Sequence, residues 1–152
     1  MDLYSFLHDR TAEILSEAQE AIARAQLRNY AQAGPEHTHQ RLRALLVLTT
    51  RAAKDRNLAP MIAHADDVAR ERFSAGYDLW EVQTAFNVLE EAIWTRIIRE
   101  LPSTEFADAL GLVSTILGAG KDTLARRYVS LATKTRAPSL DMRRLFTGTE
   151  GV

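Results

Sequence analysis

The stretch Thr115–Tyr128, TILGAGKDTLARRY, sets two glycines just before a lysine, the residue types of a phosphate-binding loop. That loop needs G-x-x-x-x-G-K-[ST] between a strand and a helix, so that backbone amides cradle phosphate while a hydroxyl holds magnesium. Aligned on Gly120-Lys121, the chain has Thr115 in place of the first glycine. Asp122 takes the place of the hydroxyl, where its carboxylate repels phosphate. No strand precedes the stretch, so nucleotide binding is rejected. The glycines fit a helix instead. Gly111 and Gly118 stand seven apart with Ser114 between them, a small-residue stripe on one helical face. Each glycine costs about 1 kcal/mol relative to alanine. Close packing or a bend within one bundle accounts for that cost, and so does a subunit interface on this face.

The remaining candidates are sparse. His37 and His39 are two apart, a spacing that does not put both imidazoles on one helical face, and no Cys, Asp or Glu nearby completes a metal set. His64, near Asp67, is a haem-ligand candidate if the bundle is globin-like, with an ordinary half-buried histidine as the plainer reading. Asp66-Asp67 and Glu90-Glu91 are neighbours pointing about 100° apart on a helix, and the repeated Glu-x-x-His of di-iron bundles is missing. No G-x-S-x-G elbow occurs. Cysteine is absent, which excludes disulfides, thiolate zinc sites and cysteine nucleophiles. No catalytic residue, metal site or cofactor is therefore assigned, with His64 kept as the one alternative cofactor ligand.

The elements that carry these residues read as helices. The first segment runs from Asp2 to Ala33, with Leu7, Ile14, Ala18, Ala21 and Ala25 near heptad spacing, and Gly34-Pro35 ends it. A second helix spans Thr38–Asn57, its inner face Leu42, Leu45, Leu46 and Thr49, with Val47 and Leu48 widening it toward cover on most sides. The third runs from Pro60 to Ala75, with Ile62, Ala65, Val68, Ala69 and Phe73 facing in and Gly76 closing it. Asp78-Leu79-Trp80-Glu81 reads as a capping box opening a fourth helix. Its seam is Leu79, Val82, Phe86, Leu89, Ile93 and Ile97. Trp80 and Trp94, two heptads apart, share a face of that helix. Ser103 or Thr104 caps a last helix that runs to Arg136, where Ala137-Pro138 stops it. No segment alternates as a strand does. The expected class is all-α, a bundle of about five helices, four-helix-bundle or globin-like, over residues 1–136. Residues 137–152 form a short tail whose end is expected to fray.

With 152 residues, 46% apolar and 26% charged, one globular domain is expected. Acids sit where a signal peptide needs bases, and no apolar run reaches the ~18–20 residues of a membrane span. The expectation is a soluble, cytoplasmic chain that does not meet a membrane. Net charge is −1, yet residues 121–152 carry 7 Lys/Arg against 3 Asp/Glu. That basic end, with Arg126 and Arg127, fits an acidic protein partner; basic residues are too sparse and too poor in aromatic neighbours for nucleic acid.

ARERFSAGYDLWEVQTAFNVLEEAIWTRI (Ala69–Ile97), continued by LGLVSTILGAGKDTLARRYVSL (Leu110–Leu131), resembles the RsbT co-antagonist RsbRD-type N-terminal domain family. A helix is closed by glycine, then an apolar residue, Leu and Glu open a long helix with a later Trp. The likeness covers about residues 8–132 and rests on packing residues. It implies a helical, often dimeric regulatory input module in bacterial stress or two-component signalling, related to a globin without haem. The sequence holds no counterpart of the family's phosphorylatable STAS domain, and the matching stretch holds no catalytic residue. The resulting expectation is a non-enzymatic signalling module that forms a homodimer and meets a protein partner. Gly111, Ser114, Gly118, Trp80, Trp94, Arg126 and Arg127 are its interface candidates. A small-molecule or haem-binding globin-like sensor is the alternative.

Overall fold

The computed structural model describes residues 2–136. Asp2 caps α1 (Leu3–Asp9), its Oδ1 accepting from the Tyr4 amide at 2.8 Å. Then follow α2 (Thr11–Ala25), α3 (Arg28–Ala33), α4 (Pro35–Asp55), α5 (Ala59–Ser74), α6 (Leu79–Glu100), a 3-10 turn (Ser103–Glu105) and α7 (Phe106–Arg136). Among the described residues there is no strand, as the periodicity requires. Among the described residues seven α-helices replace the expected five because the first segment is broken twice. The chain turns at Arg10, whose guanidinium reaches across to Glu100 at 2.7 Å, and again at Gln26, which takes the left-handed conformation at φ 52°. The second turn lets Leu27 and Tyr30 enter the core. Pro35 does not lie in a break; it is the first residue of α4, where its missing N–H costs nothing. The expected stop at Ala137-Pro138 and the tail 137–152 lie outside the described residues.

α7 packs most extensively on α5 and also on α6; α6 carries α2 on another side, and α4 joins α1, α2 and α3. The seam of α6 is buried from Val82 to Ile97, and Val113, Ile116, Leu117 and Leu124 meet it from α7. Truncating any such leucine or isoleucine to alanine costs about 2–5 kcal/mol, so this seam is the backbone of the fold's stability. Two expected inward residues face solvent. Ile62 is exposed and Met61 takes its place in the core, while Ala65 and Ala69 are buried as expected. Val47 is exposed too, so α4 keeps one open side.

Gly76, at φ 85°, ends α5 as expected. Its N–H donates to Phe73 O at 3.1 Å and the next N–H, of Tyr77, to Arg72 O at 2.9 Å, the paired bonds of a Schellman motif. That closure folds Tyr77 back over Arg72. The capping box follows at once: Asp78 N donates to Glu81 Oε1 at 3.2 Å, and the Asp78 side chain accepts from the Glu81 amide.

Candidate functional site

Two regions carry exposed or strained chemistry. The first is the outer face of α6 and α7. Trp80 is 58% exposed and Trp94 37%, with Ile98 open about five turns beyond Trp80. Beside them, the α7 residues Gly111, Ser114, Gly118 and Lys121 recur on one side. Ser114 Oγ donates to Glu90 Oε2 at 3.1 Å, and Lys121 Nζ donates to Glu90 Oε1 and Asn87 Oδ1, both at 3.0 Å. These bonds fix α7 on α6 along the edge next to Trp94.

The glycines on this face leave open space beside them in the chain. A Cβ on Gly111 or on Gly118 would meet no atom within 4 Å. Gly120 is the closely packed one: a Cβ there would stand 2.7 Å from Phe86 Cε2 and 3.2 Å from Met61 Sδ. The stripe and the tight approach are therefore separate features on opposite sides of α7. Farther along, Arg126 is exposed and pairs with Asp122 at 3.0 Å, while Val129 is open to solvent. Arg127 Nε donates to Asp66 Oδ1 at 2.6 Å, which ties α7 to α5 within the subunit.

The second region is a cleft of about 380 Å³ between α4, α5 and α6. Leu42, Leu45, Val68, Val82, Ala85 and Phe86 supply its apolar wall. Tyr30, His37, Gln40, Arg41, His64, Glu71 and Arg72 supply its polar one. Arg41 Nη1 donates to the Tyr77 hydroxyl at 2.8 Å, and both guanidiniums lie against the Tyr77 ring, Arg41 at 5.4 Å and Arg72 at 5.7 Å. The ring quadrupole attracts each cation and so helps hold two like charges near one another. Tyr30 meets Tyr77 edge-on, 5.3 Å between centroids. Burial raises the Tyr30 phenol above its ordinary pKa, against the neighbouring guanidiniums, so it stays a neutral hydroxyl. Beneath the cluster, Glu81 is 2% exposed. It accepts from Asn29 N at 3.0 Å and Asn29 Nδ2 at 2.7 Å in addition to its capping bond.

His64 is half-buried in this cleft, its pKa pushed below the ordinary value by burial and then by Arg72. His37 lines the same cleft, whereas His39 turns to Gln19 on α2, 3.2 Å from its Oε1. No group of three His, Cys, Asp or Glu among the described residues is placed to hold a metal. The cluster of Arg41, Arg72, Tyr30 and Tyr77 was not found from sequence. Its members come from three helices and a turn, and the only local trace is the glycine closing α5.

The family described as the RsbT co-antagonist protein rsbRD N-terminal domain matches residues 7–144, nearly the whole chain. The protein belongs to that family, and its class is a regulatory domain of stress signalling. Neither a curated protein nor a solved structure matches it significantly. No helix of the described residues is long and apolar enough to cross a membrane.

Proposed function

We propose that this chain is a non-enzymatic input module that pairs with a second copy of itself through the outer face of α6 and α7. Its signal passes to a cytoplasmic protein partner by way of the basic end that begins at Arg126. The observation that carries the reading is the open space beside Gly111 and Gly118, flanked by the exposed indole of Trp94. A helix that accepts two glycines on its outer side, where its own subunit makes no use of them, gives up helix propensity there. A second helix seated in that groove recovers the cost through close backbone approach. Family membership supports the signalling role and brings nothing for haem.

Size-exclusion chromatography with light scattering tests the pairing. The wild type should run as a dimer at tens of micromolar, and a strict monomer overturns the reading. A Cβ at Gly118 meets nothing in its own chain, so Gly118→Leu begins its side chain in the open groove. It should therefore give a folded monomer; an intact dimer would move the interface elsewhere.

A further inference from the structure

The cleft between α4, α5 and α6 is lined by two guanidiniums, Arg41 and Arg72, against one carboxylate, Glu71. Arg72 is 6% exposed. Among the described residues its ion pair is with Glu71, Nη1 to Oε1 at 2.5 Å, and the Glu71 side chain is 70% exposed. Its Nε is buried and has no hydrogen-bond partner. A buried, unmatched donor on a charged group costs at least as much as a neutral one, and natural folds keep few of them. Arg96 also has an unpartnered buried Nε, but two carboxylates, Glu17 and Glu100, flank its guanidinium. Arg72 has one carboxylate, the largely exposed Glu71, where Arg96 has two, and Arg41 adds a second cation to the same wall. With two guanidiniums and one largely exposed carboxylate on its wall, the cleft keeps an excess of positive charge that an anion would offset.

The shape of the cleft narrows the anion. The same cleft is lined by Leu42, Leu45, Val82 and Phe86, which favour an apolar body and give a bare inorganic ion nothing. The volume of about 380 Å³ falls in the range of small-ligand sites. A guanidinium fork matches a carboxylate in plane, through two parallel N–H···O bonds. We propose that this cleft binds a small organic carboxylate, its carboxyl group on Arg72 with support from Arg41 and its apolar body against Phe86 and Leu45. The inference stands on the cleft alone and is independent of whether the outer face pairs two copies.

The test uses the full chain and two matched probes, 2-naphthoate and the neutral 2-naphthamide, with inorganic phosphate as a third. Isothermal titration calorimetry and thermal shift are read together. Naphthoate should bind saturably at one per chain and raise the melting temperature, naphthamide should bind at least about tenfold more weakly, and phosphate should not saturate. Arg72→Gln should weaken naphthoate by about tenfold or more, and Val68→Trp should block it by filling the cleft. Absence of saturable naphthoate binding overturns the proposal. Equal binding of naphthamide does so as well, since it reduces the cleft to an apolar hole, and so does phosphate binding as tightly as naphthoate. If Arg72→Gln does not fold, the wild-type comparison of the three probes still decides.

Discussion

The Gly120 backbone lies so close to the Phe86 ring that an added Cβ would stand 2.7 Å from Phe86 Cε2, inside any real contact. This is where α7 presses on α6, and both residues are buried. Gly120→Ala must displace the ring and Met61, at a cost of about 1–3 kcal/mol for overpacking, which exceeds the roughly 1 kcal/mol of helix propensity regained. Gly118→Ala, two residues earlier, meets nothing within its own subunit and should stabilise the monomer by about 0.5–1 kcal/mol. Urea unfolding at low protein concentration should move the two midpoints in opposite directions. Equal shifts would show that the two glycines share one environment.

Glu81 secures two elements at once. Its carboxylate caps α6 through Asp78 N and accepts both the backbone and side-chain N–H groups of Asn29 at the start of α3. Glu81→Ala leaves these donors without a partner in a buried place and should cost about 2–4 kcal/mol, the sum of a lost cap and unmatched polar groups. Glu81→Gln keeps one acceptor oxygen and should cost less. Chemical denaturation ranks them, and an alanine variant as stable as wild type would remove this role.

What the sequence disclosed follows the range of each interaction. The capping box at Asp78 and Glu81 lies within four residues, so its residue types announce it. The α6 seam was legible because apolar side chains at 3- and 4-residue spacing have one face to bury. The break at Gln26 was not legible, because a non-glycine residue goes left-handed there to let Leu27 and Tyr30 reach the core. Likewise the turn at Arg10 is accompanied by a bond to Glu100, 90 residues away. Ile62 and Met61 are both apolar, and only the packing of α5 on α7 decided which went inside. The Arg41–Arg72–Tyr77 cluster lies beyond any local pattern, since its first and last members come from α4 and the turn after α5.

His64 should make stability pH-dependent in the mildly acidic range. Burial first and Arg72 second lower its pKa below the ordinary 6.5, against weaker opposing effects from Asp67 and Glu71; His37 and Arg41 share the cleft. The unfolded chain therefore takes up its proton before the folded one does. The stability this histidine contributes is complete above pH 6.5 and is lost as pH falls from there through the folded value. His64→Gln should flatten the wild-type decline in melting temperature between pH 7.5 and 5.5. An imidazole titrating at or above 6.5 by NMR would refute the assignment.

The ion pair between Arg127 and Asp66 predicts a second, more acidic transition. The hydrogen bond from Arg127 lowers the Asp66 carboxyl below its ordinary 3.8, and Arg70 at 3.5 Å adds to the effect. A depressed carboxyl stabilises the fold above the unfolded value, and that contribution disappears as pH falls through the folded one. Asp66→Asn should therefore melt below wild type at pH 7, with the gap closing once pH drops under 3.8. Both side chains are partly open to solvent, so added salt should narrow the gap at neutral pH as well. A gap that stays constant from pH 7 to pH 3 would mean that Asp66 acts through packing and not through its charge.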